Sequence, residues 1–366
     1  MELFVALAAL LTLLVAYVAA RRRLLLRESA DEVLQVPTAD GWRVCLRHYR
    51  PRAEPRFVEP VILCHGLGAN HYNVDLDERY GLAQQLAARG RDCWVISLRG
   101  HRGSDHPTRR NGLRWGFSFD DYRAFDVPAA IAEVLARTGA PRAQWVAHSM
   151  GGMLALSLGG TALEEKLAGG IVAIGSPSSF ADQPYLQRLA RLGVKAAGST
   201  RIAARWLSRL LAPFTGFVEP PFSELAVAPR SIDGRVLRRL YANAFEDLSA
   251  GVLQQFDDWV NGDHFRSLDR SVDYQDCMRA LKVPVLLVGG NKDMLAPPRC
   301  MEKGLSRIGS ADKSLLMFGT SYGSAHDYGH GDLIFGRSAP EEILPRVVEW
   351  LEHRATPLPP KPAGTQ

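Results

Sequence analysis

The strongest constraint on the fold is a series of short, continuously apolar runs that alternate with helical patterns. Runs of this kind are typical of strands that are buried on both faces, as in a parallel sheet. The apolar runs are residues 61–64, 93–96, 145–147, 171–174, 285–288 and 315–318. The helical patterns include residues 82–88, 127–138, 153–159 and 341–353. This βα order predicts a doubly wound, mostly parallel sheet of the α/β class.

A chain of 366 residues can form one large core with an insertion. Three segments of the chain depart from the alternation of strands and helices. Residues 42–49 alternate apolar and polar side chains, which predicts a half-exposed antiparallel strand. Residues 178–281 carry helical stretches separated by prolines but no strong strand, which predicts a helical cap. Residues 355–366 contain four prolines and predict a disordered tail. The predicted core is therefore divided into residues 28–177 and 282–354.

The N-terminal segment predicts a membrane anchor. Residues 3–20 are almost wholly apolar and can just span a bilayer, and arginines follow at once. A cleaved signal peptide carries its positive charges before the apolar stretch, where this chain has Glu2. By the positive-inside rule, residues 1–27 form an uncleaved single-pass anchor and the rest of the protein is cytoplasmic. Cleavage of a signal peptide near Ala19-Ala20 remains the alternative.

Charge and cysteine content narrow the possible partners. The net charge of +5 and the pI near 9.0 suit an anionic membrane surface, and no nucleic-acid-binding motif accompanies them. The five cysteines form no CxxC pair, and the early ones lie in apolar runs, as buried free thiols of a reducing compartment do. No Cys/His cluster has the spacing of a zinc site, so no metal is expected.

A serine at a strand-to-helix junction is the first candidate for catalysis. Ser149 follows the apolar run 145–147 and directly precedes a helical pattern, which is the context of a nucleophile elbow. Gly151 and Gly152 are the small residues that let strand and helix approach each other at such a turn. Ala147 stands where the G-x-S-x-G pattern has its first glycine, a difference of one methyl group. Ser149 is therefore the predicted nucleophile.

A serine hydroxyl needs a base to take its proton and an acid to orient that base. Asp293 lies in a turn after a buried-strand run, and His330 lies in the loop before the last helix. The chain order serine, aspartate, histidine is the one that this architecture uses. His326 in the same loop competes as the base, and Asp327 or Asp332 competes as the acid.

The oxyanion that develops during acyl transfer needs backbone N–H donors. The loop after the first parallel strand has the sequence His65-Gly66-Leu67-Gly68. By position, the predicted donors are the N–H groups of Leu67 and Met150. His148 is expected to pack or donate a hydrogen bond beneath the serine turn.

These motifs together resemble the α/β-hydrolase superfamily, over nearly everything from about residue 42 to 353. The sequence is most similar there to acid lipases and related esterases. The segments that carry this likeness are FSFDD at 117–121, FDVPA at 125–129, FDDW at 256–259, GGNKD at 289–293 and HGDLIFG at 330–336. The resemblance implies Ser149, Asp293 and His330 as the triad of a hydrolase that needs no cofactor. Ala147 and Met150, where acid lipases tend to have glycine and glutamine, depart from the pattern.

The expected reaction is hydrolysis of a carboxylic ester through an acyl-Ser149 intermediate. The cap interval is rich in Leu, Phe, Trp and Ala, which favours a substrate with a medium or long acyl chain. Two alternatives stay open: acyl transfer to an alcohol or lipid by the same triad, and a non-catalytic, membrane-bound relative that only binds a ligand.

The cap also contains a basic amphipathic pattern. Arginines recur at every fourth position, each followed by an apolar residue, at Arg201-Ile202, Arg205-Trp206 and Arg209-Leu210. Both sets form stripes on a helix. Such a helix either rests on anionic lipid headgroups or covers the active site with its apolar stripe.

Overall fold

The computed structural model describes residues 1–180, 184–198, 200–217, 228 and 231–359. The strands in this part of the chain are β1 (Glu32–Pro37), β2 (Arg43–Tyr49), β3 (Val61–Cys64), β4 (Cys93–Ser97), β5 (Gln144–His148), β6 (Ile171–Ile174), β7 (Arg201–Ile202), β8 (Leu248–Ser249), β9 (Val285–Gly290) and β10 (Lys313–Phe318). The main sheet has the order β1-β2-β4-β3-β5-β6-β9-β10. The pairs β1–β2 and β2–β4 are antiparallel, and the others are parallel.

The helices lie between these strands. They are α1 (Glu2–Leu24), α2 (Leu82–Ala88), α3 (Phe119–Asp121), α4 (Val127–Thr138), α5 (Met150–Leu156), α6 (Ala162–Lys166), α7 (Pro184–Ala197), α8 (Ala204–Leu211), α9 (Gly234–Asn243), α10 (Ala250–Gly262), α11 (Tyr274–Ala280), α12 (Pro298–Arg307), α13 (Asp332–Phe335), α14 (Ala339–Glu342) and α15 (Leu344–Glu352). Short 3₁₀ turns occupy His71–Asn73 and Thr320–Tyr322, and a π-turn occupies Tyr122–Asp126.

The central strands are buried from end to end, which confirms the predicted doubly wound, mostly parallel sheet. Successive side chains of a strand point to opposite faces. In β5, Trp145 and Ala147 belong to the core on one face of the sheet, and Val146 belongs to the core on the other. Because helices cover both faces, both faces of the strand interiors are apolar, and the sequence contains unbroken apolar runs.

The edge strand β1 was not predicted from the sequence. It pairs only with β2 through the register Glu32↔His48 to Pro37↔Arg43, and its side chains alternate between partly buried and exposed. The terminal Pro37 is tolerated because it stands at the end of an edge strand. A short, half-exposed strand of this kind lacks the continuous apolar signal of the central strands.

The segment between β6 and β9 is mainly helical and includes α7 to α11, with a two-residue ladder between β7 and β8. The predicted helical stripe of arginines is wrong at its start, because Arg201 and Ile202 lie in β7. An ion pair between Arg201 Nε and Asp247 Oδ2 (3.2 Å) ties that strand to the residue before β8. Arg205 and Arg209 do lie on α8.

The predicted disordered tail is wrong for its first residues. The backbone of Thr356 accepts a hydrogen bond from Val58 N (2.9 Å), and Leu358 N donates to Arg56 O (2.7 Å). The buried carboxylate of Glu59 accepts from Thr356 N at 2.7 Å. Residues 360–366 of that predicted tail lie outside the described part of the chain.

Helix α1 is exposed and, over Phe4–Leu24, long and apolar enough to cross a membrane, with a mean hydropathy of 2.2. Near its middle, the Tyr17 hydroxyl donates to Leu210 O (3.1 Å), and the Tyr17 ring stacks on Phe214 with centroids 6.2 Å apart. At its end, the buried amide of Asn243 donates to Leu24 O (2.8 Å). Helix α1 therefore contacts the segment between β6 and β9 at two positions along its length, Tyr17 and Leu24.

The link between α1 and β1 is bonded to the core along its length. Leu26 N donates to Asn243 Oδ1 (3.1 Å), and the Tyr72 hydroxyl donates to Leu26 O (3.3 Å). Arg47 Nε donates to Glu28 Oε2 (2.9 Å). The next residue, Ser29, donates from its hydroxyl to the buried Asp75. These contacts fix the direction in which α1 leaves the protein.

Candidate active site

Ser149 lies at the carboxyl end of β5 in a strained turn. Its φ is 54° and its ψ is −122°, a conformation that costs a residue with a side chain on the order of 1–3 kcal/mol. The turn is held from both sides, because Ser149 N donates to Ile174 O of the neighbouring strand at 2.8 Å and helix α5 begins at Met150. The strain directs the serine side chain away from the sheet, into the cavity described below.

The glycines around Ser149 are required by close contacts. A Cβ atom on Gly151 would lie 2.7 Å from His65 O, and one on Gly152 would lie 2.1 Å from Ser176 Oγ. One on Gly66 would lie 3.0 Å from the Cβ of Ser149 itself. Side chains at these positions would push helix α5 and the loop after β3 away from the turn.

Ala147 occupies the position of the missing first glycine and is buried in β5. Its backbone pairs with Cys64 on one side and Ala173 on the other. The small neighbour Ala173 and the regular strand geometry accommodate the extra methyl group, and the turn at Ser149 keeps its left-handed φ.

His330 and Asp293 form a buried pair. His330 Nδ1 lies 2.9 Å from Asp293 Oδ2, and the other carboxylate oxygen accepts from Leu295 N (2.8 Å) and Ala296 N (2.7 Å). Because an ionised carboxylate only accepts, Nδ1 carries the proton in this pair and Nε2 is left to act as a base. Among the described residues, no hydrogen bond joins Nε2 to Ser149 Oγ, but both side chains line the same cavity.

The competing residues lie elsewhere. His326 is exposed. Asp327 accepts from Asn291 Nδ2 at 2.6 Å and from the hydroxyl of Thr320, so it closes its own loop. The second competing acid, Asp332, is buried and accepts from the backbone N–H groups of residues 228 and 329. The structure thus brings Asp293, and neither competitor, to the ring of His330.

His148 lies beneath the serine turn, with its ring centroid 4.6 Å from that of His330. Its Nε2 is 3.1 Å from His330 O, and its Nδ1 is 3.2 Å from Asn73 Oδ1. Burial lowers the pKa of His148 to about 3, and the charge of His330 acts in the same direction. The ring is therefore neutral, carries a single N–H, and donates to only one of these two oxygens.

The loop after β3 presents the predicted oxyanion donors. In the described part of the chain, the N–H groups of Leu67 and Met150 have no hydrogen-bond partner. His65 supports the loop from within: its Nε2 accepts from Leu98 N (3.1 Å), so its Nδ1 donates to Gly66 O (2.9 Å). Burial lowers the pKa of His65 to about 4, which keeps this tautomer neutral.

The same loop is clamped by residues that the sequence did not single out. Glu246 N donates to Gly68 O (2.8 Å), and the buried Glu246 carboxylate accepts from Asn70 Nδ2 (2.8 Å). Asn70 N donates to Ala244 O (3.0 Å). The side chain of Leu248 covers Gly68 so closely that a Cβ there would lie 2.6 Å from it. These contacts join residues that are far apart in the sequence, so no local sequence motif could predict them.

A cavity of about 660 Å³ opens onto Ser149 and His330. Its walls are mainly apolar and come from α7, α9 and α10. They include Leu186, Leu189, Leu237, Tyr241, Phe256 and Val260. This volume and lining suit a hydrophobic ligand of moderate size.

Comparisons with known proteins identify the fold family of the chain. A family model described as alpha/beta hydrolase fold matches residues 59–320. Lipase member K of Mus musculus is 27% identical over 358 residues, which cover 87% of this chain and 83% of the relative. A triacylglycerol lipase of Pseudarthrobacter phenanthrenivorans is 32% identical over 149 residues, 40% of this chain and 41% of the relative.

Solved structures share the fold at low sequence identity. An esterase from Thermogutta terrifontis has a TM-score of 0.57 at 16% identity and covers 89% of this chain and 100% of its own. A membrane phospholipase A has a TM-score of 0.54 at 16% identity and covers 96% of both chains.

Proposed function

The chain belongs to the α/β-hydrolase fold family, and from this premise we propose that it is a serine hydrolase that cleaves carboxylic esters with lipid-like acyl chains. One observation carries the proposal: Ser149 on its strained turn shares an apolar cavity with the His330–Asp293 pair. A strained serine, a base with a free ring nitrogen and an oriented acid are the three parts that acyl transfer requires.

In the proposed mechanism, His330 Nε2 takes the proton of Ser149 as its Oγ attacks the ester carbonyl. Asp293 keeps the ring oriented and stabilises the imidazolium. The N–H groups of Leu67 and Met150 donate to the oxyanion of the tetrahedral intermediate. His330 then protonates the leaving alcohol, and water, deprotonated by the same ring, releases the acyl group from Ser149.

The preference for lipid-like acyl chains is supported by the cavity. Its volume of about 660 Å³ and its leucine and aromatic lining favour an aliphatic chain over a charged or sugar-like group. The similarity to a mouse lipase over 87% of this chain supports the same substrate class.

We also propose that α1 is retained as a membrane anchor, with the catalytic domain on the cytoplasmic side. The arginines that follow the apolar stretch support this orientation. Cleavage near Ala19-Ala20 would remove Tyr17 and its contacts with Leu210 and Phe214. Full-length protein that resists extraction from membranes at high pH would support the anchor, and a soluble protein that begins near Arg21 would contradict it.

The decisive test is labelling of the membrane-bound protein with a fluorescent fluorophosphonate, followed by hydrolysis of short and long p-nitrophenyl esters. We expect the wild type to be labelled and Ser149→Ala to lose both labelling and hydrolysis. For His330→Ala we expect turnover to fall by roughly 10³-fold or more, because the serine proton has no acceptor. His326→Ala, in the same loop but exposed, is the matched control and should stay active.

Loss of activity in His326→Ala but not in His330→Ala would assign the base to the competing histidine. A folded wild type that neither reacts with the probe nor hydrolyses any ester would contradict the proposed hydrolase and favour a binding protein.

A further inference from the structure

The segment 204–217, which comprises α8 and the turn after it, exposes a row of large apolar side chains. We call this row the docking face. It consists of Trp206, Leu207, Leu210, Leu211, Phe214 and Phe217. Trp206 is 68% exposed and Phe217 is 77% exposed. Six such side chains on fourteen consecutive residues form a contiguous apolar surface that is expected to meet a hydrophobic partner.

The opposite side of the same segment forms a wall of the active-site cavity. Thr215 and Gly216 line that cavity, and Thr215 is buried, whereas the flanking Phe214 and Phe217 point outward. Arg238 secures this wall, because its Nη1 donates to Thr215 O (3.4 Å) and its guanidinium lies 4.5 Å from the Phe217 ring centroid. A single segment of chain therefore lies between the docking face and the cavity that opens onto Ser149.

The contacts between α1 and the docking face set the depth of that face in a bilayer that α1 crosses. Leu210 and Phe214 contact Tyr17, which precedes Ala20, the last residue of the apolar stretch before Arg21, by three residues. At 1.5 Å per residue, this distance is about 5 Å along the helix. With α1 across a membrane, the end of α8 thus lies at the boundary between the headgroups and the acyl chains.

The charges around the docking face suit the same position. Residues 204–217 contain no acidic residue, and Arg205 and Arg209 lie on α8. Burial lowers the pKa of the Arg209 guanidinium. The charge of Glu246 raises that pKa, whereas the charges of Arg205, Arg102 and Arg21 lie close enough to lower it. Arg205 pairs with the Glu246 carboxylate at 3.7 Å, so Arg209, Arg102 and Arg21 supply the net positive charge beside the apolar row. This charge matches a leaflet with anionic headgroups and disfavours a contact between two copies of the chain.

We infer that the docking face enters the cytoplasmic leaflet beside α1, so that the active site takes its ester substrate from within the bilayer. This inference rests on the proposed function and names its substrate class as membrane lipids with an ester-linked acyl chain. The lipid reaches the cavity past the Thr215–Gly216 wall without first dissolving in water.

The first experiment measures depth. A single cysteine that carries the fluorophore NBD is placed at residue 214 (Phe214→Cys) in full-length protein with Cys277→Ser, and the protein is reconstituted in vesicles that contain acyl-brominated phosphatidylcholine and phosphatidylglycerol. We expect strong quenching at this position. The matched control is Leu268→Cys, an exposed apolar position outside the docking face, which should not be quenched.

The second experiment compares substrates. The variant Trp206→Ser/Leu207→Ser/Leu211→Ser, which changes side chains of the docking face that do not line the cavity, is expected to keep kcat/KM for soluble p-nitrophenyl butyrate within about twofold of the wild type. Its rate on a fluorogenic phospholipid ester embedded in vesicles should fall by about tenfold or more. The control variant Leu268→Ser/Tyr322→Ser removes two exposed apolar side chains elsewhere and should keep both activities.

The outcomes separate the two proposals. No hydrolysis of either ester by the wild type contradicts the proposed function, while quenching at residue 214 still reports on insertion. Normal hydrolysis of the soluble ester, with no quenching and an unchanged vesicle rate in the triple variant, overturns the inference alone. An NBD probe at residue 214 that lipid does not quench, together with an unlabelled Phe214→Cys protein that an added oxidant converts to a disulfide-linked dimer, also overturns it, in favour of a dimer contact.

Discussion

The turn at Ser149 could be predicted from the sequence, because the residues that form a tight turn are consecutive in the chain. The requirement for small residues at Gly151 and Gly152 follows from contacts with the carboxyl ends of the adjacent strands β3 and β6. Gly175 has a comparable role that the sequence did not reveal. It follows β6 with a φ of +56°, and a Cβ there would lie 3.3 Å from both Asp293 Oδ2 and His330 Nδ1.

Gly175→Ala is therefore expected to disturb the histidine–aspartate pair directly. We expect kcat for p-nitrophenyl butyrate to fall by roughly tenfold to a hundredfold with little change in KM, because substrate binding does not involve this residue. Gly323→Ala is the matched control, since its φ is +86° but an added Cβ has nothing within 4 Å. Both variants pay a similar backbone strain of about 1 kcal/mol, so equal losses of activity would contradict a specific effect on the pair.

At the scale of elements, the buried strands were the most predictable features. Their runs were unbroken because helices cover both faces, and the strands at 61–64 and 171–174 have the bounds that the sequence predicted. Helix α5 begins three residues earlier than predicted, because the strained turn starts it directly after Ser149. The edge strand β1 and the ladder between β7 and β8 were not predicted. They are stabilised by their pairing partners, and their own composition carries no strand signal.

The clamp between the loop after β3 and the segment before β8 leads to a prediction at this scale. Glu246→Leu removes the acceptor of Asn70 Nδ2 and should let the loop that carries the proposed oxyanion donors shift. We expect kcat to fall by about tenfold, with KM and the acyl-length preference less affected, because in the proposed mechanism this loop acts on the transition state.

Glu246→Gln keeps an acceptor oxygen at the same position and should restore most of kcat. This rescue separates a positioning effect from general destabilisation, which thermal unfolding of both variants would report. If the glutamine variant were as slow as the leucine variant, the clamp would act through the charge of Glu246 and not through its hydrogen bond.

At the scale of the whole molecule, the sequence predicted the doubly wound architecture and the alternation of its layers. It did not predict how α1 is attached, because Asn243, Asp75 and Arg47 reach the N-terminal link from remote parts of the chain. The three residues singled out for catalysis meet at one edge of the sheet because parallel strands carry their loops to the same end. Their supporting residues come from long-range packing and could not be read from local patterns.

The stability of the whole fold should depend on pH, because four histidines are buried without carboxylate partners. They are His65, His71, His101 and His148. Burial lowers the pKa of His65 to about 4 and that of His148 to about 3, and it lowers the pKa values of the other two well below the usual range. The unfolded chain takes up these protons near pH 6.5, but the folded chain does not. The stabilisation is therefore complete above about pH 6.5 and is lost as the pH falls towards 4.

A histidine with a pKa of about 4 when folded and about 6.5 when unfolded accounts for roughly 3 kcal/mol of this loss. Urea unfolding of the detergent-solubilised protein at about pH 7.5 and about pH 5 would measure it. His71→Phe should flatten the dependence, because the His71 ring makes no hydrogen bond in the described part of the chain. The exposed His326→Phe should leave it unchanged, and a stability independent of pH in the wild type would contradict the prediction.

The bonded link between α1 and β1 has a kinetic consequence. A catalytic domain on a loose tether could rotate away from its membrane and sample solutes in the surrounding volume. Here Leu26, Glu28 and Ser29 hold the domain at a fixed angle to α1. With α1 in a membrane and a lipid substrate, as proposed, its encounters with lipid would occur by lateral diffusion in two dimensions. Its rate should then follow the mole fraction of substrate in the leaflet, and dilution of the vesicles in buffer should leave that rate per enzyme unchanged.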